Sequence, residues 1–152
     1  MIQAQKKYEF TGETKEEAGR TLHRIRRLSD RALGGWIESE KNLSHEGSCW
    51  VYGDAQVYGD ARVYDDARVY GDAYVFGNAV ATEPVEFFRL TRDAITVTDE
   101  HIAVGCELHL ITYWLRRGFI RKIGEHNGYP DKDIRLYTQA IKFAATLRGI
   151  KK

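Results

Sequence analysis

The chain has 152 residues and a formal net charge of +1, with 43% hydrophobic and 30% charged residues. It holds no apolar run of about 18 residues, the length of a membrane-spanning helix, and no charged-then-apolar signal segment at its start. Its two cysteines, Cys49 and Cys106, are too few for a disulfide framework. These features argue against a membrane span and a disulfide-stapled secreted scaffold, and we expect a cytoplasmic protein.

The charge is distributed unevenly along the chain. Residues 1–32 carry 8 basic and 5 acidic side chains, residues 33–86 carry 3 and 10, and residues 87–152 carry 12 and 7. An acidic middle between basic ends favours contacts between the ends of one copy and the middle of another, or a basic rim that holds an anion. Nucleic acid is disfavoured as the main partner, because the acidic middle repels phosphates.

The N-terminal segment predicts a small β element. Residues 7–11 and 21–26 read as two short strands with a loop between them. Arg24 and Arg26 are spaced by two residues, so they share one face of the second strand within a basic patch. This patch either binds an anion or keeps a strand edge solvated, and both readings stay open.

The middle of the chain repeats one six-residue phrase. WVYGDA, QVYGDA, RVYDDA, RVYGDA and YVFGNA follow one another over residues 50–79. A six-residue period with one β-branched and one small residue per repeat is typical of a β-solenoid. Gly followed by Asp or Asn supplies the corners. Asp65 replaces Gly at one corner, a position that Asp tolerates better than most residues.

The register of the repeat extends beyond these phrases. Counting back in sixes places Leu33, Ser39 and His45 in the inward valine column. Nine hexads then fill the repeat, which gives three coils if three hexads close one triangular coil. The predicted domains are an N-terminal β element, the solenoid, and a C-terminal β segment with a helical hairpin, at residues 1–32, 33–86 and 87–152.

Two sides of the predicted coil carry outward aromatic side chains. One side presents Trp50, Tyr52, Arg68 and Tyr70, and the next presents Tyr58, Tyr74 and Phe76. Aromatic residues with interleaved arginine are enriched at the centres of protein interfaces. We therefore expect Tyr58, Tyr74 and Phe76 to lie in the interface of a homo-oligomer, either a trimer or a dimer. The alternative is that the tyrosines only stabilise strand stacking, as cross-strand pairs do.

The C-terminal segment predicts strands followed by helices. Residues 94–104 read as two short strands. Apolar residues then recur at helical spacing from Leu108 to Ile123 and again from Ile134 to Leu147. We expect a helical hairpin that caps the solenoid or contributes to its oligomerisation.

The reactive side chains do not form a complete catalytic set. His45 falls in an inward column, where a buried or capping role competes with that of a general base. Cys106 and His109 share a face at the start of the predicted first helix, near His101. Three ligands are fewer than the four of a structural zinc site, and the Cys–His pair has no evident orienting group. A packed cysteine and capping histidines explain the same residues, so we expect no metal, no cofactor and no catalytic residue.

The hexad pattern resembles the left-handed β-helix of hexapeptide-repeat proteins. The string LGGWIESEKNLSHEGSCWVYGDAQVYG and the later segment TDEHIAVGC are similar to hexapeptide-repeat proteins of bacteriophages and prophages, some labelled acyltransferases. The resemblance implies a mainly β fold, a left-handed parallel β-helix. For an acyltransferase it also implies acetyl-CoA as donor, bound between subunits, and a histidine base, for which His45 is the candidate. The uninterrupted repeats depart from such enzymes, which often protrude a substrate-binding loop.

The predicted function is binding rather than catalysis, in a non-catalytic phage or prophage accessory protein. The target is either a host protein or a small anionic, nucleotide-like ligand held between an aromatic ring and arginines. Binding either target would counter a bacterial defence system, as the resemblance implies. The alternative is a hexapeptide-repeat acyl-CoA-dependent acyltransferase. The predicted binding residues are Arg24, Arg26, Trp50, Tyr52, Arg68 and Tyr70.

Overall fold

The computed structural model describes residues 5–150. It is mainly β, with helices in the C-terminal third. The N-terminal hairpin consists of β1 (Tyr8–Glu17) and β2 (Arg20–Arg27). The solenoid strands are β3 (Leu33–Ile37), β4 (Trp50–Val51), β5 (Gln56–Val57), β6 (Arg62–Val63), β7 (Arg68–Val69), β8 (Tyr74–Val75) and β9 (Val80–Ala81), with a 3₁₀ helix at Glu40–Asn42. The C-terminal region consists of β10 (Glu86–Arg89), β11 (Ala94–Val97), β12 (His101–Val104), β13 (Glu107–Leu110), α1 (Ile111–Trp114), α2 (Phe119–His126) and α3 (Asp131–Leu147).

The solenoid strands β4, β5 and β6 each pair in parallel with the strand three hexads further along the chain, and β3 pairs in parallel with β5. Trp50 pairs with Arg68, for example, and the same relation joins β5 to β8 and β6 to β9. The resulting stacks, β3–β5–β8, β4–β7 and β6–β9, form three sides, and Leu43 extends the third by a parallel bridge to Val63. The predicted β-solenoid repeat is therefore confirmed.

The inside of the solenoid is filled by the two small apolar columns of the repeat. The valines and alanines of these columns are at most 1% exposed, and they belong to one hydrophobic core. Burying a valine side chain contributes about 1.5–3 kcal/mol, so the repeat itself supplies most of the local stability. Asp65 has a φ of 56°, which confirms that it occupies a glycine-like corner.

The first coil does not follow the predicted register. Ile37 and Leu43 form the parallel pairs that continue the valine column. The prediction that Leu33, Ser39 and His45 fill this column is wrong, since Leu33 is 48% exposed and the other two are only partly buried. Val51, the first valine of the repeat, lies eight positions after Leu43, whereas a regular hexad would place it six positions after Leu43.

Close backbone approach between the first two coils requires glycine in β3. A Cβ on Gly35 would lie 2.5 Å from the Ala55 carbonyl oxygen, and one on Gly34 would lie 2.7 Å from the Trp50 ring. Buried Asn42 secures the irregular corner that follows, because its carboxamide donates to the carbonyls of Gly59 and Ala61, at 3.2 and 2.9 Å. These contacts compensate for the loss of the hexad pattern in the first coil.

The N-terminal hairpin extends the first side of the coil. β2 pairs antiparallel with β3, which gives a sheet of order β1–β2–β3–β5–β8. Both strands are longer than predicted, because the expected loop is a strand with a bulge, and the turn is confined to Ala18 and Gly19, with φ of 52° and 73°. Tyr8 and Ile25 are fully buried in the solenoid core, so the hairpin covers an otherwise open sheet edge.

The C-terminal region is an antiparallel sheet, β10–β11–β12–β13, packed against α1, α2 and α3. The two predicted strands within residues 94–104 and the second helix are present. The prediction of one helix from Leu108 to Ile123 is wrong. Residues up to Leu110 form β13, and Gly118, at a φ of 77°, separates α1 from α2. Pairing with β12 decides this, because β13 completes the sheet edge.

The C-terminal region is fastened to the end of the solenoid by polar contacts. The Thr82 hydroxyl donates to the Asp99 carboxylate at 2.6 Å. The guanidinium of Arg148 donates to the Thr98 carbonyl at 2.8 Å and to the carbonyl of Pro84, at the end of the solenoid, at 3.1 Å. Whether the three segments fold as independent domains stays a prediction.

Candidate functional site

The second side of the solenoid presents two stacked tyrosines. β4 and β7 pair in parallel, which brings the ring centroids of Tyr52 and Tyr70 to 6.1 Å. The two rings are 36% and 44% exposed, and Arg68 beside them is exposed as well. Together with Arg27, which the N-terminal hairpin adds at its edge, these residues form what we term the tyrosine face: Arg27, Tyr52, Arg68 and Tyr70.

Trp50 is not part of that surface. It is 1% exposed, so the prediction that it serves as an exposed anchor is wrong. Tyr8 packs against the Trp50 ring edge-on at 6.2 Å, and the guanidinium of Arg27 lies 5.1 Å from the ring centre. The Arg27 guanidinium donates hydrogen bonds to the Asp30 carboxylate, which raises the pKa of Arg27 and fixes its side chain. The hairpin thus buries the tryptophan and places a partly exposed arginine over it.

Arg24 and Arg26 lie on β2, the strand that pairs with β3 on the first side of the solenoid. Arg24 donates to the Gly34 carbonyl at 3.2 Å, and its guanidinium lies 5.4 Å from the centre of the Trp36 ring. A bulge in the β2–β3 pairing separates Arg24 from Arg26, which is partly buried. The structure therefore does not bring these two arginines together with Arg68, and their role in binding stays a prediction.

Tyr58, Tyr74 and Phe76 lie on the first side of the solenoid. Tyr58 stacks on Phe76 at 5.6 Å, and all three side chains are partly buried. Burial, followed by the nearby Glu17 carboxylate, raises the pKa of Tyr58 and of Tyr74. The tip of the N-terminal hairpin therefore shields part of this surface, and its use in an oligomer stays a prediction.

His45 is held by both of its ring nitrogens. Nδ1 accepts a hydrogen bond from the Lys7 backbone N–H at 3.0 Å, so the ring proton belongs on Nε2, which faces Glu40 at 3.0 Å. The ring stacks on Tyr8 at 4.0 Å, and the His45 hydrogen bond lowers the pKa of Glu40. With its only lone pair engaged, His45 is placed to tie the N-terminus to the first coil.

His101, Cys106 and His109 lie on the hairpin formed by β12 and β13. Cys106 is exposed in the turn, and not at a helix start as predicted. His109 contacts the Glu107 carboxylate at 3.0 Å and packs edge-on against Trp114. Burial lowers the pKa of His101. Neighbouring strand positions alternate faces, so this geometry does not build a nucleophile–base pair.

A cavity of about 490 Å³ lies between the C-terminal sheet and the helices. Its walls are about half polar and half apolar, and its polar groups centre on Asp93 and Tyr129. The Tyr129 hydroxyl donates to the Asp93 carboxylate, and burial followed by this bond raises the pKa of Tyr129. With Glu107 and Arg92 also in the lining, carboxylates outnumber cations, which suits a neutral or cationic group better than an anion.

Sequence reasoning missed this cavity and also the role of Arg27. The polar residues of the cavity come from the β10–β11 connection, from β13, from the α2–α3 connection and from α3, positions that no spacing along the chain connects. Tyr137 is the one residue of the cavity that the sequence could have indicated, because it is a tyrosine on the apolar stripe of α3. Its hydroxyl accepts a hydrogen bond from the Asp93 N–H at 2.6 Å. A buried tyrosine needs such a partner.

The geometry agrees with what comparisons with known proteins found. A family model described as YdcK Beta solenoid repeat matches residues 55–69. No curated protein and no solved structure matches the chain. In residues 5–150, no helix is long and apolar enough to cross a membrane. The matched residues span the β5, β6 and β7 strands of adjacent sides. The chain is a β-solenoid repeat protein.

Proposed function

We propose that this chain is a non-catalytic binding protein whose tyrosine face engages another protein. The observation that carries the proposal is the exposure of Tyr52 and Tyr70 in one stack, with Arg27 and Arg68 alongside. Tyrosine and arginine dominate the energetic centres of protein interfaces, because they bury large areas and still offer hydrogen bonds. The parallel pairing of β4 and β7 fixes the backbone that carries the two rings, so binding costs little additional conformational entropy.

The state of the histidines supports a non-catalytic role. A general base needs a free lone pair, and the Nδ1 lone pair of His45 accepts from Lys7 while Nε2 faces Glu40. His101 and His109 lie at neighbouring, non-paired positions of β12 and β13. No observation therefore favours the alternative of an acyl-CoA-dependent acyltransferase over binding.

The setting we propose follows the resemblance of the repeat. The solenoid is a left-handed hexapeptide-repeat β-helix of three coils, and the protein is a phage or prophage accessory protein acting in the host cytoplasm. Its target is a host protein, bound to counter a bacterial defence system. Tyr58, Tyr74 and Phe76, partly exposed on the first side, join copies of the chain into a dimer or trimer.

The test compares proteins retained from bacterial host lysate by three forms of the chain. We expect a defined protein to be retained by the wild type and lost with the Tyr52→Ala, Tyr70→Ala double variant. The matched control is Tyr64→Ala, Tyr113→Ala, which removes two tyrosines of 37% and 40% exposure elsewhere on the surface. Retention by the double variant but not by the control would contradict the assignment of the face. Turnover of acetyl-CoA by the purified protein would contradict the absence of catalysis.

A further inference from the structure

A second cavity, of about 510 Å³, lies between the α1–α2 connection and α3. Trp114, Ile120 and Ile134 line both this cavity and the one beside Asp93, so they form the wall between the two. We term the second cavity the basic cleft. Its charged lining residues are Arg116, Arg117, Arg121, Arg135 and Lys142, and the described residues that line it include no aspartate or glutamate.

Local structure explains why these cations converge. On α3, Arg135 and Lys142 are two turns apart and therefore lie on one face of the helix. Gly118, at a φ of 77°, reverses the chain between α1 and α2 and brings Arg117 and Arg121 to the opposite wall. The buried wall of the neighbouring cavity forms the floor beneath them.

Most of this positive charge is not neutralised within the chain. Arg121 is shared between Glu125 at 3.3 Å and Asp131 at 2.9 Å, and the Arg116 guanidinium lies 3.6 Å from the centre of the Tyr113 ring. Among residues 5–150, no carboxylate lies within 4.0 Å of a nitrogen of the other three cations. A concave surface with apolar walls concentrates their field.

We propose that the basic cleft binds a small anion that carries two or more linked phosphates. Arginine dominates the lining, and its planar guanidinium matches phosphate oxygens in bidentate pairs, which a scattered set of lysines does not. The volume falls in the range of small-molecule sites, about 300–1,000 Å³. A nucleic acid fits less well, because residues 33–86 carry 10 acidic and only 3 basic side chains, a balance that repels a long phosphate chain.

The cleft is independent of the tyrosine face, and its test uses a defined probe. Inorganic tripolyphosphate is titrated into the full chain by calorimetry at low salt, and ATP is titrated in a parallel series. We expect both to bind, and we expect Arg117→Glu, Arg135→Glu to weaken each by about tenfold or more, since the change removes charged hydrogen bonds and places two carboxylates beside the phosphates. Circular dichroism verifies that the variant is folded.

The matched control is Lys41→Glu, Arg62→Glu, which makes the same change in net charge at two exposed cations of the solenoid. It should leave the affinity for tripolyphosphate within about twofold. An equal loss in both variants would overturn the proposal, because the anion would then respond to net charge alone. Absence of tripolyphosphate binding by the wild type would also overturn it. So would tighter binding of a single-stranded oligonucleotide than of ATP with the same dependence on Arg117 and Arg135, since the partner would then be a polymer.

Discussion

The solenoid and the C-terminal region bury their side chains in different ways. In the solenoid each buried valine lies against its counterpart one coil away, so every contact repeats and each repeat needs only its neighbours. In the C-terminal region Tyr137 on α3 binds the backbone of Asp93, 44 residues earlier in the chain. The structure of the solenoid is therefore set by a short repeat along the chain. The structure of the C-terminal region is set by individual contacts between residues far apart in sequence.

Replacing Trp114 with alanine should have the largest effect and should expose this difference. The ring is 1% exposed, and its Nε1 donates to the Ile102 carbonyl at 2.8 Å. We expect the free energy of unfolding to fall by about 3–5 kcal/mol, through the cavity and the lost hydrogen bond. Hydrogen exchange should show the loss of protection in β12 and the helices, with less effect in β5 to β8. Uniform loss of protection would mean that the two regions unfold as one unit.

Replacing Arg148 with alanine tests how strongly the two regions are joined. Arg148 donates to the carbonyls of Thr98 and Val97, in the C-terminal region, and of Pro84, at the end of the solenoid, at 2.8, 3.1 and 3.1 Å, and the change removes all three bonds. We expect the free energy of unfolding to fall by about 2 kcal/mol, because buried acceptors lose their donor. Denaturant titration measures this. Arg135→Ala, an exposed change in the same helix, is the control and should cost less than about 0.5 kcal/mol.

Replacing Asp65 with glycine should stabilise the solenoid. Asp65 holds a φ of 56°, whereas Gly53, Gly59, Gly71 and Gly77 occupy the other corners. Relief of the left-handed conformation, about 1–2 kcal/mol, exceeds the entropic cost of glycine, so we expect a net gain of about 0.5 kcal/mol. Asp60→Gly, at a corner position without positive φ, should instead lower the thermal midpoint. Equal signs for the two changes would contradict this reading of the corners.

The pH dependence of stability should show the smallest effect, at the junction of the N-terminus and the first coil. The His45 hydrogen bond lowers the pKa of Glu40 below its ordinary value of 4.5. A carboxyl group whose folded pKa is depressed contributes stability above the unfolded pKa and loses it as the pH falls through the folded pKa. The free energy of unfolding can be measured by chemical denaturation at pH values above and below these two pKa values. It should decrease less on acidification for Glu40→Gln than for the wild type. Glu46→Gln, at an exposed position, should leave the profile unchanged.

Prediction from sequence succeeded where the chain obeys its repeat and failed where it departs from it. The inward columns follow from spacing alone from Val51 onward, since each hexad repeats the same environment. The first coil shifts because the loop after Leu43 is two residues longer than a hexad allows. The apolar residues of β13 fit a helical period in sequence, which predicts a helix. Hydrogen bonding to β12 makes the segment a strand instead.

The candidate surfaces divide in the same way. Tyr52 and Tyr70 were predicted to stack, because residues three hexads apart must meet in a triangular coil. Trp50 was predicted beside them, but burial by the N-terminal hairpin could not be read from the repeat, since that hairpin lies outside it. The basic cleft could not be read either. Arg116, Arg117 and Arg121 lie close together in sequence, but Arg135 and Lys142 lie on α3, and only the packing of α3 brings the two sets to one concavity.

The six-residue period is enough to predict the β-solenoid, its corners and the alignment of its aromatic side chains. Each hexad adopts the same local geometry and contacts its neighbours in the same way. Three features follow from tertiary contacts and not from the repeat: the shifted register of the first coil, the burial of Trp50, and the position of Arg117 and Arg135 in one cleft. Each of these depends on one contact between distant segments. Such contacts leave no period in the chain, because a side chain that packs only once imposes no repeated residue type.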